Sequence, residues 1–149
     1  ASKQELFVSL LEARAEEYVG GINAGLANVY TVTGGIHALV IFRGQFFVEN
    51  QRLAESVSHS VPGFAPEYRR RIWDLRRRIE EPTIRLMERL LPADHPVVPE
   101  SVAAILNGAI DYMVGVKLLD NRPVNLQNVA RDIEYILGPG ITKGPEVGL

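Results

Sequence analysis

The chain has 149 residues, 46% of them hydrophobic and 23% charged, and a formal net charge of −2. That is enough for one domain with a real core. The near-neutral charge gives no overall attraction to nucleic acid or an anionic membrane, and the absence of cysteine removes disulfide and thiol chemistry. No apolar run reads as a membrane span or a signal peptide, so an intracellular, cytoplasmic protein is expected.

Ser2-Lys3-Gln4-Glu5 has the form of a capping box: Ser2 accepts from the N–H of residue 5, and Glu5 reaches back to residue 2. Behind it Leu6, Phe7, Leu10, Leu11, Arg14 and Tyr18 run down a long helix, which weakens at Gly20-Gly21 or continues to about residue 28. A chain that opens directly on a helix cap looks cut from something longer.

The segment Ala1-Ser2-Lys3-Gln4-Glu5-Leu6-Phe7, continuing into Leu10-Leu11-Glu12-Ala13-Arg14, resembles a junction in the TetR family of bacterial transcriptional regulators. There a segment of the form S-K-x-x-L-F opens the helix that links a helix-turn-helix head to the body. Ser2, Lys3, Leu6 and Phe7 match that form. The resemblance implies an all-helical body of about six helices that homodimerises through its last two long helices and binds a small, mostly apolar effector. It implies that the DNA-reading head lies outside this chain, so that operator DNA is met only through that head. Ligand binding would pivot the linking helices and change the match of two heads to major grooves about 34 Å apart.

The next helix spans about 31–50, with Val32, Ile36, Leu39, Val40, Phe46 and Phe47 on one face. Arg43 falls in the middle of that face. An arginine among aromatics pairs with a carboxylate, snorkels, or meets a polar or anionic ligand. His37 stands to one side as an ordinary satisfied or exposed histidine. A short helical stretch, Gln51–Ser60, ends at Val61-Pro62-Gly63-Phe64-Ala65-Pro66, where two prolines and a glycine oppose continuation. This break is either a plain connection or the entrance to an interior cavity.

Residues 67–91 carry the longest stripe: Tyr68, Ile72, Leu75, Ile79, Leu86 and Leu90. Pro82 inside it predicts a kink or break near 80–82, which would leave room for a cavity. Trp73 projects to one side, lining that cavity or capping the core. The triplets Arg69-Arg70-Arg71 and Arg76-Arg77-Arg78 fan round the helix and are interleaved with Asp74, Glu80 and Glu81. They read as a solvated face with local ion pairs rather than a nucleic-acid blade.

Pro99–Leu119 has two faces. Val102, Ile105, Leu106, Ala109, Ile110, Met113 and Val116 form a bulky stripe, and Ala104, Gly108, Asp111 and Gly115 a mostly small one. Each interior glycine costs about 1 kcal/mol relative to Ala, which close approach of another helix would offset. The last helix, about 125–137, starts at Asn125 and stops at Gly138-Pro139. It carries Leu126, Val129, Ala130, Ile133, Ile136 and Leu137 on one face. The hairpin is expected to pair with its own copy through Ala104, Gly108, Asp111, Gly115, Val129, Ile133 and Ile136. Residues 139–149, rich in Gly and Pro, form an extended or disordered tail beyond a single 1–138 domain.

The expected effector cavity lies between the 31–50, 67–91 and Pro99–Leu119 helices. Its walls are Arg43, Phe46, Phe47, Trp73, Leu106, Ile110 and Met113, with a polar or acidic ligand group facing Arg43. Catalytic patterns are missing. There are three histidines, His37, His59 and His95, and no zinc, phosphate-loop, dinucleotide or nucleophile-elbow motif. No cofactor or metal is expected. The rivals are a helical-bundle enzyme using Glu55 and His59 or Asp111, and a structural dimerisation module with a filled core.

Overall fold

The computed structural model describes residues 2–143. Six α-helices account for nearly all of them, and there is no strand among the described residues: α1 (Lys3–Leu26), α2 (Val32–Glu49), α3 (Gln51–Ser60), α4 (Pro66–Leu90), α5 (Pro99–Leu119) and α6 (Leu126–Lys143). The all-helical bundle of about six helices is the architecture expected from the hydrophobic periodicity.

Local chemistry sets the helix starts. The Ser2 hydroxyl accepts from the Glu5 N–H at 3.0 Å, Thr31 from Gly34 at 3.1 Å, and the Asn125 side chain from Asn128 at 3.0 Å. Pro66 and Pro99 open α4 and α5, where a missing N–H costs nothing. Only half of the capping box forms, because the Glu5 carboxylate is drawn across to Arg71 instead. Gly20 and Gly21 do not break α1.

α2 packs against α6, α1 against α4, and α4 against α5. Ile22, Leu39, Leu86, Leu106, Ile110 and Val114 meet at the centre with essentially no exposure. Burying side chains of this size is worth about 1.5–3 kcal/mol each before the entropy of ordering them is charged. α4 runs through Pro82 as one helix. Beside that proline, the buried Thr83 hydroxyl donates to Asn107 Oδ1 of α5 at 3.0 Å, leaving Asn107 Nδ2 buried without a partner.

The stop expected at Gly138-Pro139 does not occur. α6 continues to Lys143, and the tail predicted from 139 is helical for its first five residues, the rest lying outside the described residues. Pro139 is exposed, so the hydrogen bond it removes lies on the solvent side. Ile141 is buried on the opposite side, its carbonyl sits 2.9 Å from His95 Nε2, and Thr142 donates to the Gly138 carbonyl at 2.8 Å. Burial of Ile141 and the docking by His95 carry the helix past its breakers.

By length and composition α5 is long and apolar enough to cross a bilayer, contrary to the expectation that no segment is. Its charges are Glu100, Asp111 and Lys117. Val102, Leu106, Ile110 and Val114 face the core, while Ser101, Ala104, Ile105, Gly108, Tyr112 and Leu119 face outward. Ile105, expected in the core stripe, is 54% exposed.

The arginine triplets are shared between solvent and neighbouring helices. Arg71 reaches from α4 to Glu5 at 2.9 Å and Glu12 at 2.7 Å on α1, and Arg78 lies 3.6 Å from Glu16. The hydrogen bond from Arg71 holds the Glu12 carboxyl below its ordinary value; slight burial opposes this, and the charges of Arg71 and Arg78 reinforce it. A depressed folded value contributes stability above the unfolded value near 4.5, lost as pH falls through the lower folded value. Glu12→Gln is therefore expected to lower Tm at about pH 7, and its deficit against wild type should shrink as pH falls below the unfolded value and through the lower folded value of Glu12. Thermal melts across that range check this; a deficit independent of pH would contradict it.

Candidate functional site

A cavity of about 350 Å³ lies between α1, α2, α3 and α4, and only Asp111 of α5 touches it. Its walls are mainly apolar, with Leu11, Ala15, Leu53, Val57, Ile72 and Ile79 among them. Each wall follows from helical spacing: Leu11 and Ala15 are one turn apart on α1, Leu53 and Val57 on α3, and Ile72 and Ile79 two turns apart on α4. Arg14 and Arg76 also line it, with side chains 46% and 64% exposed, and mark where it meets solvent.

The inner end is polar and built from three helices. Arg43 of α2 is buried and grips Asp111 of α5 with two parallel hydrogen bonds, Nε to Oδ1 and Nη2 to Oδ2, the latter 2.7 Å long. Its Nη1 donates to the Tyr18 hydroxyl of α1 at 3.3 Å. The guanidinium also lies about 6 Å from the ring centres of Tyr18 and Phe47, within cation–π reach, and Tyr18 leans on Phe46 at 4.9 Å. Burial pulls the Arg43 guanidinium toward neutrality, but the hydrogen bonds and charge of Asp111 overrule it and keep it charged. Burial raises the Tyr18 hydroxyl above an ordinary tyrosine, against the pull of Arg43, so it stays protonated at neutral pH.

Three expected wall residues, Arg43, Phe46 and Phe47, line this cavity. The other four do not. Leu106 and Ile110 are fully buried in the core, Met113 packs against that core, and Trp73 is 63% exposed. For the α5 residues the reason is rotational: the bulky stripe of α5 points into the core, and Asp111 is the residue of α5 that reaches the cavity. Tyr18, Leu53, Val57 and Ile72 were missing from the expected set. The break at 61–66 is a pinned turn rather than an entrance. Phe64 packs edge-on against Phe7 at 5.4 Å, and the Ala65 N–H donates to Gln4 at 3.3 Å.

The expected self-association set divides as well. Val129 and Ile133 are buried against the core, and Asp111 is committed to Arg43, so none of the three is free for a partner. α6 turns Val129 and Ile133 inward because that stripe packs on α2. Ala104, Gly108 and Ile136 are exposed and Gly115 is half-buried. A Cβ added at Gly108 or Gly115 would meet nothing within 4 Å. The packing reason for these glycines is therefore absent within the described chain.

Glu55 accepts from Gln51 at 3.0 Å, and His59 is exposed. Among the described residues no group of three or more His, Cys, Asp or Glu could hold a metal ion. A broader groove of about 720 Å³, between the start of α2 and the last turns of α6, is lined by surface residues such as Arg131, Tyr135 and Pro139. In comparisons with known proteins, the chain matches no family model, no curated protein and no solved structure.

Proposed function

We propose that this domain is the effector-binding and dimerisation body of a TetR-like transcriptional regulator. It takes a small, mostly apolar molecule into the α1–α4 cavity and self-associates through the uncharged outer face of α5. The observation that carries this reading is the Tyr18–Arg43–Asp111 cluster. It places one end of the cavity in contact with α1, the helix that would bear a DNA-reading head, and with α5, the helix that would bear the partner. A guest that changes this cluster biases both helices together. It can do so only by the difference in its affinity for the two arrangements. The resemblance of residues 1–14 to the family junction supports the same reading.

The neutral apolar dye Nile red tests the cavity. Leu53→Trp places a larger ring into the wall from α3, and the dye's affinity is expected to fall about tenfold or more with the fold intact by circular dichroism. Equal dye affinity in wild type and variant would remove this cavity from the proposal.

A further inference from the structure

The arrangement of Tyr18, Arg43 and Asp111 says more about the guest than that it is apolar. We infer that the cavity selects an uncharged molecule carrying a hydrogen-bond-accepting oxygen, such as a ketone, lactone or ester, and discriminates against carboxylates and amines of the same shape. The inference rests on the effector-binding reading above and concerns the chemistry of the guest within it.

Charge comes first. An arginine in an apolar cavity ordinarily suggests an anionic ligand; the sequence leads to a polar or acidic ligand group there, or to an ion pair. Here Asp111 already sits on Arg43 through both of its oxygens. The inner end is thus balanced: a carboxylate arriving there would meet Asp111, and an ammonium would meet Arg43, each a like charge in a poorly solvated place.

Hydrogen-bonding capacity comes second. A guanidinium has five N–H groups, of which Arg43 spends one from Nε and one from each terminal nitrogen, so that each terminal nitrogen keeps one. Tyr18 accepts from Arg43, and its own O–H proton has no acceptor among the described residues. This end of the cavity therefore holds spare donors beside a neutralised charge. A guest oxygen that accepts without bringing charge satisfies them. The remaining walls are apolar and ask only for hydrocarbon, apart from Arg14 and Arg76 at the solvent edge, each already paired with a carboxylate, Glu17 and Glu80.

Isothermal titration of the whole chain with three ten-carbon probes, 2-decanone, decanoate and decylammonium, tests this. 2-Decanone is expected to bind at least about tenfold more tightly than either charged probe. Decanoate or decylammonium binding as well as the ketone would overturn the inference while leaving the cavity as a binding site; no heat from any of the three would overturn the effector-binding reading itself. Two variants locate the cause. Asp111→Asn frees the Arg43 charge, so the order should reverse in favour of decanoate; an unreversed order would overturn the role given to Asp111. Tyr18→Phe keeps the charges balanced and removes one donor, so 2-decanone should weaken several-fold with decanoate unchanged. Equal ketone affinity in that variant would overturn the role given to the hydroxyl.

Discussion

Replacing Asp111 with alanine is expected to destabilise the fold by about 3 kcal/mol, the lower end for breaking a buried pair, because Asp111 itself is one-third exposed. Arg43 is only 6% exposed and is held on the other side by one tyrosine hydroxyl and two ring faces. Removing Asp111 strands its charge in a place water reaches poorly. For a chain of this length such a loss lowers Tm by about 10 °C. The cost belongs to the stranded charge more than to the pair. The double replacement Arg43→Met with Asp111→Leu should therefore recover most of the loss, since an apolar pair of similar volume is often neutral or stabilising. Denaturant titrations of the two single variants and the double variant close the cycle. A mild Asp111→Ala phenotype would mean that the guanidinium is solvated and the cavity floor is wet.

The second large effect is expected at the outer face of α5. From Ser101 to Leu119 the exposed positions carry no charge over about five turns, about 27 Å at 1.5 Å per residue, Asp111 and Lys117 being half-buried. Gly108 and Gly115 form a notch in that face that no atom of the described residues fills. Gly108→Glu is expected to weaken the proposed self-association at least about 100-fold, because a two-fold contact through this notch would bring two added carboxylates together. The variant monomer should fold normally, since the new side chain meets open space, and the glycine replaced was itself a poor helix former. Area supplies a further requirement. A strip 27 Å long and about 10 Å wide falls well short of the roughly 800 Å² per partner of a stable interface. In the proposed dimer α6 would have to contribute, and Ile136, 72% exposed and flanked by exposed Tyr135, is the apolar side chain it offers. Ile136→Glu should therefore weaken association too. Sedimentation velocity reads both, and a Gly108→Glu protein that still sediments as a dimer would exclude this face.

The helices were legible in the sequence to within a few residues because helix starts are local events. Ser2, Thr31 and Asn125 announce themselves, as do Pro66 and Pro99. The end of α6 was not legible, because its extension depends on Ile141 and His95, which are distant in sequence. The site was legible at Arg43, Phe46 and Phe47, and not at Tyr18 or Asp111, nor in its position. Arg43, in the middle of an apolar stripe, posed the problem of a charge facing inward, and its solution is Asp111, which was expected on the small, partner-facing stripe of α5. Periodicity places a residue on a face; it does not say which neighbour that face meets. That is why Leu106 and Ile110, correctly placed on the bulky stripe of α5, turned up in the core instead of the cavity wall.

Arg71 clasps Glu5 and Glu12, two turns apart along α1, from a single point on α4. Together with Ser2 beside Tyr68 at 3.3 Å, this fastens the leading third of α1 along its length rather than at a pivot. The two helices consequently behave as a splinted beam. A tilt of the first carries the arginine-rich helix with it, and the load passes to the other end of the beam, where Arg89 of α4 holds the carbonyl oxygens of Leu26 and Ala27. Whatever torque reaches one member of the pair is thus delivered to the basic outer surface of the other.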